Sequence, residues 1–346
     1  MSEKLNQLAV YTDPITGYEV RRYTTGPERN AKLYFTSENF SPDDQYFFFN
    51  HQATSDVCGG TYRANVETGD LERVTDDTYR GFAMDRVKNI GYTCKNETEV
   101  YAVDLTTLER KKLGNLPAGG SITGHLTAAD TGRIACSYHL ANKIYALCIL
   151  DPGKDEAEVV YQSDYHLGHA QICPTDENLI FYIHETMGDA FQRTWMCDVK
   201  ERYVRPWYVE HPNEWITHEV WAADGSEMAF MKLRGRVLIG DKDGRHFDQV
   251  AESEQLLHPC LSRDRKWLCA DRISYLGVDV QEGVVLIERA TGKTKLIATT
   301  GSCKTGADHQ HPSFNRAGDK ILFSNPDENG LAQVCVIDLK QVMKDW

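Results

Sequence analysis

The chain has 346 residues, and its 51 acidic side chains outweigh 38 lysines and arginines to leave a net charge of −13 at pH 7. That balance excludes the basic field with which nucleic-acid binders and anionic-membrane binders attract phosphate. No apolar stretch approaches the ~18 residues of a membrane span, and the N-terminus carries no signal-peptide core, so the protein is expected in the cytoplasm, with neither nucleic acid nor membrane as partner. In chain order, short runs rich in Tyr, Phe, Val and Ile then recur between turn residues: YFFFN, VYAVDL, LIFYIHE, MAFMKL, GVVLIE, KILFS and VCVIDL. Segments with apolar residues at helical spacing are nearly absent, which predicts an all-β protein.

One phrase repeats in degraded form: a small or apolar start, a polar turn, then an apolar strand. Its copies are FSPDDQYFFF, LTAADTGRIACS, ICPTDENLIFYI, VWAADGSEMAF, CLSRDRKWLCA and SFNRAGDKILF, with turn residues at Asp44, Asp130, Thr175, Asp224, Asp264 and Ala317. The long gap after Asp44 holds a blurred copy, GFAMDRVKNIGYTCKN, making seven units. A period of about 40 to 50 residues with several strands per unit is the mark of a β-propeller. The prediction is a seven-bladed β-propeller formed as a single domain over residues 1–346. Its last unit is one strand short, and YEVRRYT at 18–24 is expected to complete it and close the ring, since an edge strand needs pairing. A pair of β-sandwiches is the competing reading, but it gives no reason for a shared phrase.

The ten cysteines are scattered singly without a CxxC pair, so they read as reduced, mostly buried small side chains rather than a zinc ribbon or a redox motif. No GxSxG elbow, P-loop or GxGxxG is present. Histidine carries the signal instead. Six residues before the turn reference stand His169, His218, His258 and His311, in four consecutive units, with His125 offset by one in the unit before. Equivalent positions of a propeller converge around its axis, so these imidazoles are expected to form part of a ring. His309 and His311, at i and i+2, share one face of a strand and would meet His258 from the preceding blade as a three-nitrogen metal site. The segment HETMGDAFQRTW places His184, Gln192 and Arg193 beside the same face. Arg193 offers a guanidinium fork for a carboxylate, or else an ordinary surface salt bridge.

At these residues the sequence resembles the oligogalacturonate lyases, a family of seven-bladed propeller polysaccharide lyases. The likeness is most specific in GHAQICPTDENLIFYIHE, QRTW, THEVWAADG, HPCLSRDRKW and DHQHPSFNRAGDKILF. The resemblance implies an enzyme that cleaves short oligogalacturonates by β-elimination to 4,5-unsaturated uronates, with Mn²⁺ or another first-row divalent cation as cofactor and a small anionic oligosaccharide as partner. It implies His258, His309 and His311 as metal ligands, His218 as catalytic base and Arg193 as the charge-stabilising catalytic arginine, and His169, His184, Gln192 and Arg193 are assigned to substrate binding. One departure stands out: the family's metal-ligating glutamine is replaced here by Gly306, leaving a water, Asp308 or the substrate to fill that position. The alternative function is a non-catalytic propeller, a scaffold or binding module with a structural axial metal.

Overall fold

The protein is described by a computed structural model covering residues 5–54, 57–185, 190–275, 277–302 and 305–346. Seven antiparallel sheets follow one another along the chain and form the blades of a propeller. Blade 4 shows the plain pattern, with Leu167–Ile172 innermost, then Leu179–His184, Thr194–Asp198 and Tyr203–Pro206 outward. The innermost strands of the other blades are Arg29–Lys32, Tyr79–Met84, Thr127–Ala128, Ile216–Trp221, Leu256–Leu261 and Ser313–Phe314. The blurred copy of the repeat is therefore a true blade, its hairpin formed by Tyr79–Met84 and Ile90–Lys95.

A single blade exposes two apolar faces and cannot bury them alone. Each face packs instead on the next blade, and the seven buried clusters of the core lie one at each blade boundary. The ring closes where expected. Glu19–Arg22 pairs antiparallel with Ala332–Asp338 of blade 7, setting Val20 opposite Ile337, and Ala9–Thr12 adds a further outer strand. Val20 and Ile337 are both fully buried, each contributing the ~1.5–3 kcal/mol of a buried aliphatic side chain to the closure. Of the ten cysteines, eight have described side chains; all eight are free thiols and all but Cys260 are buried, while Cys58 and Cys303 lie outside the described side chains.

Two features of the axial channel position the site. At one end Glu38, from the segment that follows the inner strand of blade 1, meets Arg86, Arg263 and Arg316 of blades 2, 6 and 7 at 3.2, 3.0 and 3.9 Å. Burial pushes the Glu38 carboxyl up, but the three guanidinium groups outweigh it and hold it down at about 2. Above this knot Phe35 fills the axis, buried. At the opposite end, where the inner strands begin, the histidines gather.

Candidate functional site

The histidine ring is built by a backbone device. In blades 4, 5 and 6 the inner strand loses register with its neighbour for two residues, between Gly168 and Gln171, Thr217 and Val220, and Leu257 and Cys260. The first skipped residue of each bulge is His169, His218 or His258, with φ of +50°, +59° and +37°. His311 of blade 7 has φ +44°. Bulges re-aim a side chain that regular pleating would send into a blade, and histidine tolerates the left-handed region better than most residues. Blade 2 uses the same bulge with Gly81 at φ +65°. Blade 3 interrupts its inner strand instead, with Gly124 at φ +110° ahead of His125.

His125 proves to be in step with the others. The amide that closes each inner hairpin is that of Ala129, Cys173, Ala222, Ser262 or Asn315 in blades 3 to 7. Counting four residues back from it gives His125, His169, His218, His258 and His311. The one-residue offset expected from sequence arises because the turn of blade 3, closed by Ala129 to Arg133, is one residue shorter than the Ala222 to Glu227 turn of blade 5. Five consecutive blades thus place histidine at one structural position.

His258, His309 and His311 offer ligand atoms that all lie within 4.8 Å of one another. Donors ~2.1 Å from a common tetrahedral ion would stand about 3.4 Å apart, a difference within the reach of imidazole rotation. The His258 Nδ1 lies 3.0 and 2.9 Å from the two oxygens of Asp271, which leaves Nε2 for a ligand, and the same carboxylate accepts the His311 backbone N–H at 3.0 Å. Burial, with the neighbouring His309, holds the His258 imidazole well below its ordinary range, and burial with His258 does the same for His311. Both are therefore neutral donors near neutral pH, as metal ligation requires. The three imidazoles and their carboxylate support fit a first-row divalent cation.

Asp308 does not complete that set. It is fully buried and held by Arg29 through two bonds of 2.6 and 2.9 Å, with Thr305 Oγ1 and the Ala332 amide also donating to it. Of the three candidates for the glutamine's position, a water, Asp308 or the substrate, Asp308 is thus the one already committed to other partners. Gln310 faces away, its Nε2 donating to Thr300 Oγ1 at 2.6 Å. A Cβ at Gly306 would meet nothing within 4 Å.

His218 stands beside the triad, its ring centroid 3.9 Å from that of His258. Burial, then His258 and Arg193, hold it well below the ordinary histidine range, and its buried Nδ1 has no hydrogen-bond partner among the described residues. Glu219 does not pair with it. That carboxylate turns toward Arg193, 3.9 Å from Nε. Arg193 is buried between Glu219 and Glu185, whose Oε1 lies 3.4 Å from Nη1. The surface salt bridge considered for it is thus a buried one. Glu185 also lies 3.4 Å from His169 Nε2, and burial lowers His169 to about 4. Gln192 donates its amide to the Thr194 and Tyr208 carbonyls at 2.8 Å and so holds its own loop. His184 packs its ring on Tyr165 at 4.2 Å. Four residues of HETMGDAFQRTW, 186–189, lie outside the described residues.

Three groups at the ring escaped sequence reading. Tyr34 sits among the histidines, with ring centroids 5.0 to 5.9 Å from His311, His169 and His125. Asp271 is the second, and the third is Lys32, buried in the inner strand of blade 1 and lowered to about 7 by that burial, with Nζ donating to the Leu33 carbonyl at 2.6 Å. Asp271 directly follows the apolar run WLCA, whereas Lys32 stands in the polar strand RNAK, which gives no such signal. Beside the ring opens a cavity of about 530 Å³ whose lining includes Tyr34, His125, Ser137, His166, His169 and Glu185.

No family model matches the sequence. The oligogalacturonide lyase of Pectobacterium atrosepticum is 26% identical, over 91% of this chain and 92% of its own length. The oligogalacturonate lyase of Dickeya dadantii is 25% identical over the same shares. The chain is a distant homologue of the oligogalacturonate lyases. Its fold agrees: a solved oligogalacturonate lyase in complex with manganese superposes with a TM-score of 0.85 at 19% identity, covering 98% of both chains.

Proposed function

We propose that this protein is a metal-dependent lyase that cleaves short uronate oligosaccharides, oligogalacturonates among them, by β-elimination in the cytoplasm. The observation that carries the reading is the convergence of His258, His309 and His311 on one point, with the His218 imidazole against them, its Nδ1 unpartnered among the described residues, in a distant homologue of oligogalacturonate lyases.

The C5 hydrogen of a uronate is hard to remove because the adjacent carboxylate is negative. A bound Mn²⁺-type ion would supply a Lewis acid to that carboxylate. The chain provides the rest. His258, His309 and His311 would hold the ion, with Asp271 fixing the His258 tautomer. Arg193 adds a positive group for the carboxylate, and Glu185 and Glu219 keep its guanidinium in place. His218, neutral through burial, takes the C5 proton. The C5–H electron pair becomes the C4=C5 double bond, the C4–O bond breaks, and the departing oxygen takes a proton from water. The net charge of −13 does not prevent binding of an anion, because screening confines long-range repulsion to about 8–10 Å at physiological salt.

The test is incubation with digalacturonate and Mn²⁺ while ultraviolet absorbance of the conjugated product is followed. Absorbance should rise with the ion and stay flat in EDTA. Metal bound without any rise would favour a sugar-binding module with a structural ion.

A further inference from the structure

The cavity beside the ring differs in character from the cluster that adjoins it. Its described lining contains no lysine or arginine, and its one charged group is the Glu185 carboxylate. Two of its three histidines, His125 and His169, are lowered by burial to about 4 and add no positive charge near neutral pH. The Arg193 guanidinium, 3.4 Å from Glu185, is the group already assigned to the uronate at the histidine cluster. What the cavity offers is neutral hydrogen bonding. Ser137 and His166 stand in its lining, His166 exposed at the rim, and Tyr34 presents an aromatic ring. At about 530 Å³ it lies within the range of small-molecule sites and has room for a pyranose ring.

From this arrangement we infer that the cavity is a subsite for a neutral sugar, so that the preferred substrate joins one uronate, held at the histidine cluster, to an uncharged sugar on its O4. The inference rests on the lyase reading of the adjoining cluster and narrows its substrate. A second uronate here would bring its carboxylate out of water against Glu185 with no cation to receive it, the arrangement that most disfavours burying a charge. A neutral pyranose finds uncharged polar side chains such as Ser137 and an aromatic face in Tyr34. The shortest cleavable substrate is a disaccharide, whose only neighbouring unit is the one on O4. Elimination is unchanged in its balance: His218 takes the C5 proton, the C4–O electrons leave with the neutral sugar, and water protonates its oxygen.

The experiment compares kcat/KM for a hexosyl-(1→4)-galacturonate and for digalacturonate, with Mn²⁺ present, by ultraviolet absorbance of the product. The mixed disaccharide should be preferred tenfold or more, and equal or better turnover of digalacturonate overturns the inference. His166→Arg, which adds a cation at the exposed rim, should raise digalacturonate turnover and narrow the preference at least threefold; an unchanged ratio counts against the cavity as the second subsite. Turnover of neither sugar refutes the lyase reading, and the cavity is then judged by saturation-transfer NMR competition. Binding of the mixed disaccharide that digalacturonate fails to displace upholds the neutral subsite, and tighter binding of digalacturonate overturns it.

Discussion

His258 and Asp271 form a buried pair across the first hairpin of blade 6, with Nδ1 2.9 and 3.0 Å from the two carboxylate oxygens. The carboxylate therefore decides which nitrogen of His258 points into the ring, and through the His311 amide it also holds the neighbouring ligand strand.

Asp271→Asn should keep the fold and weaken Mn²⁺ binding, by the ~10- to 100-fold usual for groups that orient a ligand from behind. Titration calorimetry, or the electron paramagnetic resonance signal of free Mn²⁺, measures it. Unchanged affinity would remove Asp271 from any orienting role.

His218→Ala and His258→Ala should separate proton removal from metal binding. The first is expected to lose ~10²- to 10⁴-fold in turnover, the range for a general base, with metal content intact. The second should lose metal and activity together. Full turnover in His218→Ala at saturating metal and substrate would hand the proton to another group, His169 being the nearest equivalent in the ring.

Gly306→Gln should tighten Mn²⁺ binding, by about tenfold or ~1.4 kcal/mol if the amide reaches the ion. The space exists, since a Cβ there meets no atom within 4 Å. Weaker binding in a folded variant, measured by the same titration, would show that the position does not face the ion.

Acid should destabilise the metal-free protein. His125 and His169 are lowered to about 4, and His218, His258 and His311 well below 6.5, all first by burial. As pH falls from 6.5 toward 4 the unfolded chain takes up protons at these five groups that the folded chain refuses, so stability falls. Three carboxyls act oppositely: Asp271 and the half-buried Glu210 are raised to about 7, and Glu219 is also raised, so the folded chain binds their protons first. The histidines outnumber them. A thermal melt in EDTA should therefore give a lower Tm at pH 5 than at pH 7, and the reverse order would contradict the histidine burial.

The fold was readable because the repeat phrase is tied to a backbone event, the hairpin turn that ends every inner strand. The same phrase carried four of the five ring histidines, since blades 4 to 7 keep a common spacing from turn to histidine. It misplaced His125 by one because turn length in blade 3 changed while strand geometry did not. Tyr34 and Phe35 were invisible for a different reason. Blade 1 leaves its repeat after Lys32 and sends the following segment into the axis, so no equivalent position in another blade announces them. Asp271 lies on a second strand, outside the phrase, and only its place directly after the apolar run WLCA marked it. Gln192 reads like a ligand-binding amide in sequence, yet the backbone carbonyls of Thr194 and Tyr208 claim it.

The knot of Glu38 with Arg86, Arg263 and Arg316, capped by Phe35, makes the passage through the ring a cul-de-sac. Whatever reaches the histidines must back out by the doorway it came through. A polymer therefore could not thread the ring from end to end. Under the proposed lyase reading, substrate and product would share that one opening, and competitive inhibition by product is the expected result.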